Sequence, residues 1–187
     1  MADKKLKPGW KVWRFDQIAT NVNVRIDNPS ESGMDHYVGL EHLEPCDLRI
    51  RGWGNVADGV TFTSVFQPGQ VLFGKRRAYQ RKVAVADFSG VCSGDIYVLE
   101  TKDPQILLPE LLPFICQTDA FFDHAIDTSA GSLSPRTNWS SLADFEFMLG
   151  HTAHFANGCT CRAAAIISAV DYGHLRFTKL LRWAGRR

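Results

Sequence analysis

Residues Gln67–Leu99 read QPGQVLFGKRRAYQRKVAVADFSGVCSGDIYVL. Pro68-Gly69 is a turn signal, and Val71-Leu72-Phe73 predicts a short buried strand that ends at Gly74. Lys82–Ala86 and Asp95–Leu99 predict two further strands from their β-branched and aromatic content, with Phe88-Ser89-Gly90 between them. Between the first two strands stand Lys75, Arg76, Arg77, Arg81 and Lys82, five cations in eight residues with no acid among them and Tyr79 in their midst. Cations packed so densely repel one another unless a polyanion neutralises them, which points to a nucleic-acid backbone. The plainer alternative is a solvated, charged turn guarding a sheet edge.

The rest of the chain sets this block in context. Over 187 residues the formal net charge is only +1, with 45% hydrophobic and 22% charged residues. That is the composition of one folded domain, or of one domain with an appendage, with a core rich in its twelve Phe and five Trp. The near-neutral total hides segregation. Asp95, Glu100, Asp103, Glu110, Asp119, Asp123 and Asp127 face only Lys102 within 95–127, whereas 176–187 is purely basic. Such an acidic block is expected at the back of the domain or against a protein partner. Five cysteines, with Cys46, Cys92 and Cys116 single among apolar neighbours, predict reduced thiols and a cytoplasmic protein. No apolar run follows the Lys-rich start and no window reaches eighteen apolar residues, so neither a signal peptide nor a membrane partner is expected.

Working outward, residues 1–8 form a polar leader, and Trp10–Ala19 passes from alternating residues to a short helix or turn. Residues 27–35 are loop chemistry, Tyr37–Leu40 a strand, 51–59 a Gly-rich loop exposing Trp53, and Val60–Phe66 a strand. Pro109–Ile126 is predicted as one helix, with Pro109 and Glu110 suited to its first turn. Leu111, Leu112, Ile115, Phe122 and Ile126 would share its inner face. A loop over 127–138 leads to a last strand at Asp144–Leu149, and Ala163–Val170 is a helix-forming run.

Three other constellations carry possible chemistry. In the 129–139 loop, Ser129, Gly131 and Ser132 allow close approach to phosphate, while Arg136 and Asn138 suit base edges or backbone; an ordinary polar loop is the alternative. Asp95 with Glu100 and Lys102 is the acid, acid-x-Lys pattern of Mg²⁺-dependent nucleases, though the gap between the acids is short. His151, His154, Cys159 and Cys161 are four zinc-type ligands whose spacing fits no common finger; no metal site is assigned, and a zinc-stabilised interaction module is the alternative they leave. No P-loop, no dinucleotide fingerprint, no Asn/Asp-Pro-Pro-Tyr/Phe motif and no nucleophile elbow occurs, and no cofactor is expected.

The order of these pieces resembles a target-recognition domain from the specificity subunit of type I restriction-modification systems. The likeness lies in Gly9–Ile18, Pro68–Arg77 with Lys82-Val-Ala-Val, Val91–Leu99, Leu108–Phe122 and Gly131–Leu142, and covers residues 9–149. It implies an α/β (α+β) domain with a curved, mostly antiparallel sheet and a packed helix, followed by a short C-terminal helical segment. It implies a non-catalytic subunit that reads double-stranded DNA and places methyltransferase and restriction/translocase subunits upon it. DNA would meet Lys75, Arg76, Arg77, Tyr79, Arg81, Lys82, Ser129, Gly131, Ser132, Arg136 and Asn138. The chain has room for one recognition domain where the family has two, so a homodimer would be needed to read a split target. Residues 150–187 depart from the family, whose last strand runs on into a long spacer helix; a shifted reading frame over 150–162 and 172–187 would account for this.

Overall fold

The computed structural model describes residues 9–150 and the backbone of 167–168. In chain order the elements are β1 (Trp10–Arg14), the helical turn α1 (Phe15–Ile18), β2 (Ala19–Asn21), β3 (His36–Val38), β4 (Gly54–Asn55) and β5 (Ser64–Phe66). There follow β6 (Val71–Gly74), β7 (Val83–Val85), β8 (Gly90–Cys92), β9 (Ile96–Thr101), α2 (Leu112–Cys116), α3 (Asp119–Asp127), α4 (Trp139–Ala143), β10 (Glu146–Gly150) and β11 (Ile167–Ser168).

The centre is the sheet β2-β9-β6-β7, antiparallel throughout. Side chains alternate across a strand, and here both faces are covered. Val71, Phe73, Val83, Tyr97 and Leu99 belong to one apolar cluster; Leu72, Ala84, Ile96 and Val98 belong to another. This double burial is why 71–73 reads as an unbroken apolar run instead of an alternation. On the first face lie α2, α3, α4 and the β1–β10 pair, contributing Ile115, Phe121, Phe122, Leu142 and Phe147. On the second lie Val38, Phe66 and Cys92 from the sheet β4-β3-β8-β5. Each large side chain buried here stabilises the fold by roughly 1.5–3 kcal/mol relative to its exposed state.

The mixed α/β class with mostly antiparallel strands is as expected. The sheet is divided into three, and β3 runs parallel to β8. The segment 91–99 is not one strand. Ser93–Asp95 turns, with the Ile96 amide bonded to the Ser93 carbonyl at 2.9 Å, so β8 and β9 serve different sheets. The Val60–Phe66 strand shrinks to β5. In the second sheet the Tyr37 ring fills the space a Cβ at Gly54 would need, and a Cβ at Gly90 would stand 2.5 Å from the His36 carbonyl oxygen. Trp53 is exposed as expected, against His36 and Phe88.

The single helix expected over 109–126 is divided as well. A 3-10 turn at Pro109–Leu111 leads into α2, and Thr118 then takes extended backbone and caps α3. Its hydroxyl donates to the Ile115 carbonyl at 2.8 Å and accepts from the Phe121 amide at 3.2 Å. This stitches the end of one helix to the start of the next. The break rotates the face: Leu111, Leu112, Ile115 and Phe122 are buried as expected, but Phe121 is fully buried as well and Ile126 is 39% exposed. The short α4, capped by Asn138, stands between the loop and the last strand, where the sequence predicts no helix. The leader and the tail over 151–187 lie outside the described residues apart from β11, which pairs with Met148 and Leu149, so Ile167-Ser168 is strand where the sequence predicts a helix over Ala163–Val170.

A candidate nucleic-acid interface

The connection from β6 to β7 carries the basic cluster. Its middle, Ala78–Gln80, is a 3-10 turn that leaves Tyr79 54% exposed. Arg77 and Arg81 flank it with φ of 53° and 56°, the left-handed region that costs a side-chain-bearing residue about 1–2 kcal/mol. Neighbouring backbone holds both: the Arg77 amide donates to the Pro135 carbonyl at 2.7 Å, and the Arg81 amide to that of Ala78 at 2.9 Å.

Pro135 lies in the 129–138 loop, so the two elements singled out in the sequence are joined in space. The Thr137 amide donates to the Lys75 carbonyl at 3.0 Å, and Arg76 and Arg136 form an antiparallel bridge. The Arg76 Nε donates to the Ser134 hydroxyl. Within the loop, Ala130 and Arg136 exchange backbone bonds at 3.0 and 2.9 Å; Gly131 takes φ of 108°, and Leu133 at the tip is 90% exposed. Thr137 is buried beneath this seam, its carbonyl accepting from the Tyr97 hydroxyl at 3.3 Å.

The cations are not left to repel one another. Asp95 accepts from Arg136 Nε at 2.7 Å and from Arg76 Nη1 at 3.3 Å. Partial burial alone would raise its pKa, but the bonds and charge of Arg136, then Arg76, outweigh that and hold it below the usual carboxylate value. Arg81 pairs with Asp119 and lies 4.7 Å over the Phe122 ring, both on α3. Lys82 Nζ donates to the Leu40 carbonyl at 2.7 Å. Lys75 Nζ sits 4.7 Å over the Tyr97 ring; its pKa is lowered by burial, with Asp95 opposing and Arg136 adding to the effect. Arg77 differs. Its Nε is buried without a hydrogen-bond partner among the described residues.

Two expectations change here. The acidic block was to stand away from the cluster, yet its Asp95 and Asp119 reach into it, because segments of opposite sign distant in sequence attract once folded. The nuclease constellation is not assembled. Asp95 is engaged by two arginines, while Glu100 accepts from Gln70 at 2.9 Å and Lys102 donates to the Asp16 carbonyl at 2.6 Å, both at the far end of β9. Among the loop residues, Gly131, Ser132 and Arg136 are exposed. Ser129 instead donates to the Ala125 carbonyl at 2.6 Å, and Asn138 accepts from the Ser141 amide at 2.8 Å to cap α4. Asp119 and Ser134 carried no signal in the sequence, because their roles depend on partners 38 and 58 residues away. The four candidate zinc ligands lie outside the described residues.

The fold that carries these residues recurs in solved structures. The chain superposes on the HsdS subunit from Thermoanaerobacter tengcongensis with a TM-score of 0.66 at 19% identity, covering 79% of this chain and 40% of that one. A chain from a structure describing complex assembly and conformational transition of a type I R-M system gives 0.65 at 19% identity, covering 77% and 38%. This chain has the fold of a type I specificity-subunit domain. The S subunit of a type I restriction-modification system from M. genitalium gives 0.52 at 12% identity, covering 80% and 36%. In sequence, the chain is 29% identical over 138 residues to the specificity subunit of the type I restriction enzyme EcoDI from Escherichia coli. That match takes in 72% of this chain and 30% of the subunit, so the chain spans about a third of the length of the relative. No protein-family profile matches the chain.

Proposed function

We propose that residues 9–149 form a DNA target-recognition domain, without catalytic activity of its own, that reads double-stranded DNA for a type I restriction-modification complex. The observation that carries this is the backbone seam between the 75–82 connection and the 129–138 loop. It gathers cations from two distant segments on one surface, with exposed Tyr79 and Leu133 beside them. Lys75, Arg76, Arg77, Arg81, Lys82 and Arg136 supply charge and bidentate donors, Tyr79 a stacking surface, and Gly131 and Ser132 close backbone approach. Ser129 and Asn138 shape the loop. The similarity to specificity subunits supports methyltransferase and restriction/translocase subunits as partners, which would do the chemistry. A second copy of this chain would supply the other half of a split target. A cytoplasmic location fits this role, and no helix among the described residues is long and apolar enough to cross a membrane.

The test is duplex-DNA binding by the full chain, measured by fluorescence anisotropy across a salt series. Six cations offset by two carboxylates give a slope of log K against log salt no steeper than about −3.6. The Lys75→Ala/Arg77→Ala/Arg81→Ala triple variant should flatten the slope by up to about 2.7 and weaken binding accordingly. Unchanged affinity and slope in a folded triple variant would remove this surface from the reading.

A further inference from the structure

The acid at the middle of the cationic seam is out of place on a surface built only to attract phosphate. Asp95 is also held in place by its own backbone. Its amide donates to the Ser93 hydroxyl at 3.2 Å, and its carbonyl accepts from the Lys75 amide at 2.9 Å. The turn before β9 therefore sets where the carboxylate stands, and its side chain is only 19% exposed. Arg136 turns its Nε and Nη2 toward the two carboxylate oxygens at 2.7 and 3.5 Å, and Arg76 brings Nη1 to 3.3 Å. One anion thus holds one arginine from each side of the seam.

We propose that Asp95 is a specificity-determining residue of the interface. It occupies Arg76 and Arg136 and withholds their charge from indiscriminate phosphate binding. The proposal rests on the DNA-reading function above and adds how that surface discriminates. Non-specific DNA affinity is almost wholly electrostatic, so an internal anion that a phosphate must displace lowers it selectively. A site that matches in hydrogen bonding and shape gains contacts that do not depend on net charge. Specificity is the difference between the two affinities, and Asp95 widens it from the non-specific side.

The experiment measures binding of the full chain to a mixed-sequence duplex across a salt series. Asp95→Asn adds one uncompensated positive charge. It should steepen the slope by about 0.9 and tighten non-specific binding up to about eightfold near 0.1 M salt. Asp95→Glu should keep the wild-type slope. Asp95→Asn/Arg136→Gln restores the net charge and should return to the wild-type slope whether or not the single variant folds well. A structural role alone would instead lower the melting temperature and weaken binding without steepening the slope. The proposal is overturned if folded Asp95→Asn binds non-specific DNA no more tightly than wild type, or if the double variant loses a further 0.9 in slope. Absence of salt-dependent binding by wild type and Asp95→Asn alike would instead overturn the DNA-reading function.

Discussion

Removing the Phe121 side chain should separate the broken-helix arrangement from a continuous one. Phe121 is fully buried at the meeting point of three rings: Phe15 at 4.7 Å between centroids, Phe145 at 5.1 Å and Phe73 at 5.4 Å. Phe→Ala in a core costs about 3–5 kcal/mol through lost transfer energy and the cavity left behind. Three aromatic contacts, each worth roughly 0.5–1.5 kcal/mol beyond burial, place this site toward the upper end, near 4–5 kcal/mol. With a urea m-value of about 2 kcal/mol per molar, the unfolding midpoint should fall by roughly 2 M. That is a large share of a typical domain stability of about 5–15 kcal/mol. The comparison is Ile126→Ala, five residues along the same helix and 39% exposed, which should cost no more than about 1 kcal/mol. Tryptophan fluorescence in urea reports both, since Trp139 lies 6.1 Å from Phe15 in the same cluster. If Ile126→Ala proves the more damaging of the two, the helix runs unbroken and the packing argued above is wrong.

Thr118→Ala should cost about 1 kcal/mol, within the 0.5–2 kcal/mol range for caps, and hydrogen exchange at the Phe121 amide should quicken while distant strands keep their protection. Asp95 titrates below the ordinary carboxylate value in the fold, so its clamp contributes fully above about pH 4 and is lost as pH falls through the lowered value. Urea midpoints across the acid range should show that loss in wild type and not in Asp95→Asn. Mass-spectrometric mapping of alkylation should find Cys46, which is exposed, modified in the native protein. Cys92, buried with its thiol pushed up to about 12, and Cys116, buried and pushed up further, should react only on unfolding.

How much the sequence disclosed varies with how local each cause is. The β6 strand was legible because two covered faces leave an apolar run with a glycine at its end. The helix break was not, since apolar residues recur at helical spacing straight through Thr118, and only its paired hydrogen bonds reveal the stop. The turn at Ser93–Asp95 hid between two strand-like runs for the same reason. The basic cluster and the 129–138 loop could each be picked out from residue type. Their union could not, nor the use of Asp95 and Asp119 as counter-charges, because those contacts join segments 19 to 60 residues apart. Asp95 is the instructive case. Its spacing to Glu100 suggested a metal ligand, whereas the fold surrounds it with guanidinium groups.

The seam joining Lys75–Arg77 to Pro135–Thr137 is held by main-chain amides and carbonyls. Such bonds are indifferent to the side chains they carry, apart from the proline that accepts without donating. Arg77, Tyr79, Ser132 and Leu133 can therefore be exchanged over generations while the two loops keep their relative position. Under the proposed DNA-reading role, change in what this surface reads is thereby uncoupled from the hazard of misfolding.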